Sequence, residues 1–164
     1  MDQKLLLDAD EMGIRLEMVG GLPIWEAKPV LKHQRAVDRI RASIRTLPII
    51  GNGPGCACFH YADVYIAFPD GSFKRPDVSI FCAEPEEEEE AITLIPEAVI
   101  EIISKGYEAK DLEIAPPFYL GQGVKDVIVY DPYTLVVLHI RRNQSERHIS
   151  PVNLELECGC SVLV

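Results

Sequence analysis

The sequence predicts an α+β fold, built from one long N-terminal helix, a central mixed or antiparallel sheet and a shorter second helix. Three observations predict it. Apolar residues recur at helical spacing between Val30 and about Thr46. Short apolar runs rich in β-branched residues, such as "DVSIF", "AVIEII" and "DVIVY", read as buried strands. Asp70-Gly71 and Asp131-Pro132 place turns between runs of this kind. With 164 residues, 48% hydrophobic and 26% charged, and with neither an internal repeat nor a linker, the chain reads as one domain over 1–164.

Each element follows in chain order. "EMGIRLEMVGGLPIWEAKP" alternates weakly about Gly20-Gly21 and reads as a short hairpin. Pro29 fits the first turn of the long helix, in which Val37, Ile40, Ile44 and Leu47 form the apolar face. Lys32, Arg35 and Arg39, extended by Arg41 and Arg45, make this the one concentrated basic segment: a solvated helix face, or a stripe that meets phosphate. Pro48 and the glycines of "LPIIGNGPG" end the helix. "CACFHYADVYIAFPDGSFKRPDVSIFC" reads as strand, turn and strand, and the acidic "EPEEEEE", Glu84 to Glu90, as a solvated loop. "PEAVIEIIS" is the next strand. "KGYEAKDLEIAPPFYLGQG" is part helical, with Pro116-Pro117 expected to interrupt or restart the helix. A hairpin of Asp126 to Tyr130 and Leu135 to Arg141 comes next, and the tail "SPVNLELECGCSVLV" holds one or two more strands.

The net charge of −10 excludes a protein that coats nucleic acid by bulk electrostatics, so a nucleic-acid partner needs a local basic patch or a bound cation. No apolar run approaches the roughly 18 residues of a membrane span, and "MDQKLLLDADEMG" lacks the features of a signal peptide; a cytoplasmic location is the expectation. Five cysteines, Cys56, Cys58, Cys82, Cys158 and Cys160, are an odd number without an export signal, which argues for reduced thiols. Four of them form two Cys-x-Cys pairs, closer than the Cys-x2-Cys of most zinc sites. Core packing is the plain reading of these pairs; a metal or redox module requires the two to meet in space.

Glu101 stands in the middle of "AVIEII". Strand alternation puts it on one face with Val99 and Ile103, and puts Ala98, Ile100 and Ile102 on the other. A lone carboxylate in such a strand is costly to bury without a partner. Asp77 opens the apolar strand "DVSIF" just after Pro76. If the two strands are neighbours, Asp77 and Glu101 converge, and two close carboxylates repel unless a cation or a proton comes between them. A hard ion such as Mg²⁺ (or Mn²⁺) takes oxygen ligands, and Asp77, Glu101 and the backbone carbonyl of Ile102 supply three. Such an ion activates water and stabilises charge growing on a phosphodiester.

"RPDVSIF", "PEAVIEIIS", a following "D…Y…GV" segment and "VIVYDP", preceded by "GGLPIWEAKP…KHQRAVDRI", together resemble the Uma-two family of endonucleases. The resemblance spans roughly Arg15 to His139. It implies membership of the PD-(D/E)XK restriction-endonuclease-like superfamily: an α/β-like central mixed sheet flanked by helices, a metal site on its open side, and DNA as substrate. Asp77 matches the aspartate of the "PD" motif and Glu101 the glutamate of the next strand. The superfamily lysine two residues on is replaced here by Ile103. The family displaces that lysine to the following helix, where aligning Asp111 and Tyr119 puts Ala115. Lys105 and Lys110 are the nearby lysines, and Lys110 is the one expected to assist. Superfamily analogy also makes Glu26, from the N-terminal region, a candidate for the metal shell, against a surface salt bridge, and implies a homodimer in which two sites cut two strands.

His33 reads as a helix-end hydrogen-bonding residue, with a catalytic base as the alternative. Tyr107 and Tyr119 read as core or rim residues, and His60, His139 and His148 as structural or exposed. Three functions fit these residues: a Mg²⁺-dependent DNA endonuclease, a nuclease-fold protein acting as a binding or accessory module without catalysis, and a module built on the cysteine pairs.

Overall fold

In the computed structural model, which describes residues 3–164, helix α1 (Gln3–Glu11) precedes a hairpin of β1 (Leu16–Val19) and β2 (Leu22–Trp25). Met1 and Asp2, at the start of the expected 1–164 unit, lie outside the described residues. The hairpin turns at Gly20-Gly21, both at positive φ (56° and 80°), the geometry that two-residue turns demand and glycine supplies. Helix α2 (Leu31–Ser43) follows and buries Ala36, Val37 and Ile40, as its periodicity predicts. It ends earlier than Thr46, because Ile44 is already extended and Arg45–Thr46 form the short strand β3. Among the described residues no helix is long and apolar enough to cross a membrane.

The expected single strand–turn–strand is one long bent hairpin of four pieces: β4 (Phe59–Tyr61), β5 (Ile66–Ala67), β6 (Phe73–Lys74) and β7 (Val78–Phe81). The register of Tyr61↔Ser79 continues unchanged into Ile66↔Lys74, so the two halves share one pairing frame. Between them the ladder opens. Pro76 has no N–H to donate there, and Asp63 adopts a positive φ of 59°. The base of this hairpin belongs to the central sheet, whereas its tip joins β1 and β2 in a sheet of order β2-β1-β6-β5.

Strand β8 (Ala98–Ile102) pairs antiparallel with β7 and parallel with β9 (Asp126–Tyr130). The parallel pair requires a crossover, and the helical segment between the strands provides it. The helix restarts at Pro116-Pro117, as expected. Residues 110–114 form a π turn in which the Ala115 N–H reaches the Lys110 carbonyl, and α3 (Ala115–Gly121) continues with the prolines in its first turn. Strands β10 (Val136–Arg141) and β11 (Gln144–Ile149) complete a six-stranded mixed sheet, β11-β10-β9-β8-β7-β4. Neither α1 nor β11 is anticipated from the sequence. Strand β11, "QSERHI", is an edge strand exposed along most of its length, so it carries no apolar alternation to read. The tail forms β12 (Asn153–Glu155) and β13 (Cys160–Leu163), which pair with each other, and β13 also pairs with β3.

The strand alternation read around Glu101 holds. Ala98, Ile100 and Ile102 pack with α2 and the small tail sheet on one face. Val99 and Ile103 pack with Ala115 and Tyr119 of the helical crossover on the other. The acidic loop is exposed at Glu86 to Glu90, as expected.

Because Ile40 is fully buried against the central sheet, Ile40→Ala should cost about 2–5 kcal/mol in equilibrium denaturation. Arg35→Ala, one turn away on the solvent side, should unfold at the same denaturant concentration as the parent. Equal effects would show that α2 docks through a different face.

Candidate active site

The site forms where the long hairpin opens. Asp77 stands at that break, immediately before β7, and β7 pairs with β8 so that Val78 lies opposite Ile100. Continuing the register by one residue sets Asp77 across from Glu101. The Asp77 Oδ2 accepts a hydrogen bond from the Ile102 N–H at 2.7 Å, in place of a ladder partner. The N–H and C=O of one strand residue point to the same side, so the Ile102 carbonyl faces this edge as well. The Asp77 Oδ1 lies 3.0 Å from His33 Nε2, at the start of α2. Burial disfavours the His33 cation, but the hydrogen bond and charge of Asp77 outweigh it and raise the His33 pKa.

Asp77, at 22% side-chain exposure, opens onto a cavity of about 80 Å³ lined also by Glu26, His33, Lys110 and Asp111. Glu101 is not part of that lining. It is 1% exposed, and its Oε1 accepts the Tyr119 hydroxyl at 2.6 Å and lies 3.8 Å from Lys74 Nζ. Burial pushes the Glu101 carboxyl up to about 8. Lys74 and Lys110 pull it down less than burial raises it, and Asp77 adds repulsion.

Behind Asp77 the charges form a connected cluster. Glu17 and Lys74 are both fully buried, 3.2 Å apart, on the neighbouring strands β1 and β6. Burial raises the Glu17 carboxyl, but Lys74, Lys110 and the Arg75 N–H together hold it below its ordinary range. Lys110 reaches in from the π turn to 3.2 Å from Glu17, 3.5 Å from Glu26 and 3.8 Å from Asp111. Burial opposes its charge, yet Glu17, Glu101 and Glu26 keep the ammonium protonated far above neutrality. Arg75 holds Glu26 through two nitrogens, at 2.8 and 3.2 Å. Glu26 is nevertheless raised, by burial first and then by Glu17. Burial likewise lifts Asp111 to about 7 against the pull of Lys110.

The sequence-derived residues therefore fare differently. Asp77, Glu26, His33 and Lys110 line one cavity, with Ile102 at its edge. Glu101 is adjacent but turned toward Tyr119. Glu26 is not a surface salt bridge: its side chain is 8% exposed and bound to Arg75 and Lys110. Lys105 is exposed and contributes nothing to the cavity lining, and Ile103 is buried in the core on the α3 face. Tyr119 is a core residue as read, but its hydroxyl serves Glu101. Glu17 and Lys74 escaped notice. Glu17 carries the same signal as Glu101, a lone carboxylate in the apolar strand "LEMV", so the same reasoning finds it.

The donor set fits a hard divalent cation on charge grounds. The connected cluster holds the carboxyls Asp10, Glu17, Glu26, Asp63, Asp77, Glu101 and Asp111 against the cations Arg15, Lys74, Arg75 and Lys110, with His33 beside Asp77. Carboxyls outnumber cations, an imbalance that a bound cation would reduce. Without it, protons make up the difference, and Glu101 and Asp111 are the two carboxyls whose pKa values rise furthest into the neutral range. Asp77 and the Ile102 carbonyl are the oxygens at the break, with Glu101 behind them.

The family model for Uma2, described as "Putative restriction endonuclease", matches residues 1–158. A crystal structure described as "a putative nuclease belonging to DUF820 from Anabaena variabilis ATCC 29413" is similar over 94% of this chain and 88% of that one, at 21% identity and a TM-score of 0.67. That likeness shows the fold. No curated protein matches.

The raised carboxyls generate a pH prediction. A carboxyl with a raised folded-state pKa favours the fold when protonated. The contribution of Asp111 and Glu101 is therefore complete below about pH 4, near their unfolded values, and is lost as pH rises through about 7 and about 8. In chelator, the melting temperature should fall between pH 6 and pH 9. Mn²⁺ should restore it, and by more at pH 8.5 than at pH 6, because the cation competes with protons. Glu101→Gln should flatten this difference. A Mn²⁺ effect independent of pH would place the cation elsewhere.

Proposed function

Because the chain belongs to the Uma2 family, we propose that it is a divalent-metal-dependent DNA endonuclease whose centre lies at the break in the long hairpin. The observation that carries this reading is the convergence on one cavity of Asp77, the Ile102 backbone and Lys110, in a cluster where carboxyls outnumber cations. Asp77, Glu101 and the Ile102 carbonyl would hold the ion. When bound, it would stabilise charge on the attacked phosphate and ease deprotonation of water.

The chain's own residues do the rest. Lys110, on the π turn, presents a permanent ammonium to the cavity and serves the role that Ile103 cannot. It pairs there with developing negative charge on the phosphodiester. Its partners Glu17 and Glu26 hold the ammonium in place, so it arrives oriented. His33 fixes Asp77 from the α2 side and leaves the carboxylate facing the break. Lys74 and Tyr119 set the position of Glu101 from behind. On the other side of α2, Lys32, Arg35 and Arg39 are exposed along a groove of about 590 Å³ beside Tyr130. They are the basic stripe that an acidic protein needs to receive a phosphate backbone.

A second reading rests on one specific observation. Glu101 is held by Tyr119 and Lys74 away from the cavity lining, so a nuclease-fold protein that binds without cutting is the alternative.

Incubation of supercoiled plasmid with the full chain and Mg²⁺ or Mn²⁺ separates the two. The endonuclease reading expects nicking or linearisation that chelator stops. Asp77→Asn should abolish it, and Lys110→Ala should lower the rate by about 10²–10³ while leaving metal-dependent stabilisation intact. DNA retained on the protein but never cut, with any divalent ion, would establish the second reading.

Charge reversal at Lys32, Arg35 and Arg39 together should weaken DNA binding and reduce the slope of log affinity against log salt by roughly 3, about one per lost phosphate contact. An unchanged slope would return this stripe to an ordinary solvated face.

A further inference from the structure

All five cysteines meet at one place, at the end of β7 away from Asp77 and different from it in chemistry. Cys56 and Cys58 lie just before β4, Cys82 just after β7, and Cys158 and Cys160 at the turn into β13. The structure joins Cys56 to Cys82 and Cys58 to Cys160 as disulfides, which corrects the expectation of five reduced thiols. It also satisfies the condition set by the cysteine-module reading, because the two Cys-x-Cys pairs do meet. Cys160 Sγ lies 3.4 Å from Cys56 Sγ, and the sulfurs of Cys56, Cys158 and Cys160 all fall within 4.8 Å of one another.

Two disulfides use four of these sulfurs and leave Cys158 without a bond. Cys158 is half-buried and packs against the edge of the core. The backbone is shaped to deliver its sulfur. Leu156 and Cys160 close a tight turn, with the Leu156 N–H on the Cys160 carbonyl at 2.8 Å and the Gly159 N–H on the Leu156 carbonyl at 3.0 Å. Gly159 sits between the two cysteines at φ 93°, which a side chain disfavours. The opposing Cys-x-Cys pair has its own bend, with Cys58 at φ 53°. Both pairs thus turn their sulfurs toward a common point.

We propose that in the reduced chain this cluster is a thiolate site for a soft or borderline divalent metal, Zn²⁺ above all, ligated by Cys56, Cys158 and Cys160 and completed by Cys58. Tetrahedral zinc holds sulfurs at about 2.3 Å, so the sulfurs themselves stand roughly 3.8 Å apart. The Cys56–Cys160 separation of 3.4 Å is close to that value, and Cys158 lies within 4.8 Å of both. Cys58 is the fourth ligand because it is buried beside Cys160, and it lets each Cys-x-Cys pair bind as a unit. Passage from the disulfide form consumes a dithiol reductant. Each S–S bond breaks on receiving two electrons and two protons, and one dithiol closes to its own disulfide. The metal then displaces the thiol protons of its ligands. Mg²⁺ does not compete, since it takes oxygen donors. The site would clamp the tail sheet, where the Leu47 N–H also meets the Gly159 carbonyl, to the β4–β7 edge of the central sheet.

Cys158 makes the test decisive, because it belongs to no disulfide. The full chain is reduced with a phosphine, stripped with chelator and titrated with Co²⁺ while sulfur-to-cobalt charge-transfer absorption is followed. One Co²⁺ per chain is expected, displaced by Zn²⁺ and unaffected by excess Mg²⁺. Cys158→Ser should weaken binding at least tenfold, and Asp77→Asn should leave it unchanged. Circular dichroism of oxidised Cys158→Ser should match the parent, since both disulfides remain. A reduced parent chain without the charge-transfer band, or a Cys158→Ser chain that binds Co²⁺ as tightly as the parent, would overturn the proposal.

Discussion

The ion pair between Glu17 and Lys74 is the constraint on which the rest of the site depends. Neither side chain has any exposure to water, and neither charge tolerates burial alone. The pair lies between strands of the smaller sheet, and it recruits Lys110 from the crossover helix and borders Glu101 on the central sheet. Four elements distant in sequence are therefore held in one arrangement by the need to neutralise charges at low dielectric. Losing any one cation would leave a carboxylate uncompensated. The cluster is still short of positive charge, and that shortage gives it chemical potential for a proton or a metal ion.

Two backbone irregularities place Asp77 and Lys110. Pro76 and the left-handed Asp63 open the ladder of the long hairpin, and Asp77 occupies the gap. The π turn at 110–114 widens the crossover helix just before two prolines, and Lys110 projects from its first residue. A regular ladder would spend the Ile102 N–H on backbone, and a regular α-helix would rotate Lys110 relative to Glu17. Irregular backbone of this kind often marks functional positions, because regular hydrogen bonding fixes groups that a site needs free.

The chain thus carries two dissimilar donor sets. On the readings proposed above, the oxygen-rich break would take a hard cation and the sulfur-rich corner, once reduced, a soft one. They lie toward opposite ends of the β7–β8 pairing: Asp77 precedes β7 and Cys82 follows it. Strand β7 is four residues long and fully buried, so the two regions are joined through a single rigid element.

Much of this was legible in the residues. Strand alternation placed Glu101 opposite Ile100 and Ile102, helical spacing gave α2 its buried face, and Gly20-Gly21 specified the first hairpin. These are local matters, decided by the 2.0 and 3.6 periods of the backbone and by glycine's freedom of φ. The order of the motifs was enough to indicate the family, and Lys110 rather than Lys105 was the lysine that the cavity received. The sequence could not show that Glu26 is buried, that Glu101 turns toward Tyr119, or that Lys74 stands behind it. Each of these depends on which strands become neighbours across sheets, and no local period encodes that pairing. The prolines at 116 and 117 marked where the helix restarts but not the π turn before them, since they forbid a regular α-helical hydrogen bond but not a wider turn. The five cysteines show the division most plainly. Their spacing along the chain is ordinary, and only the pairing of β13 with β3, and of β4 with β7, brings them to one point, because convergence is a property of the folded topology.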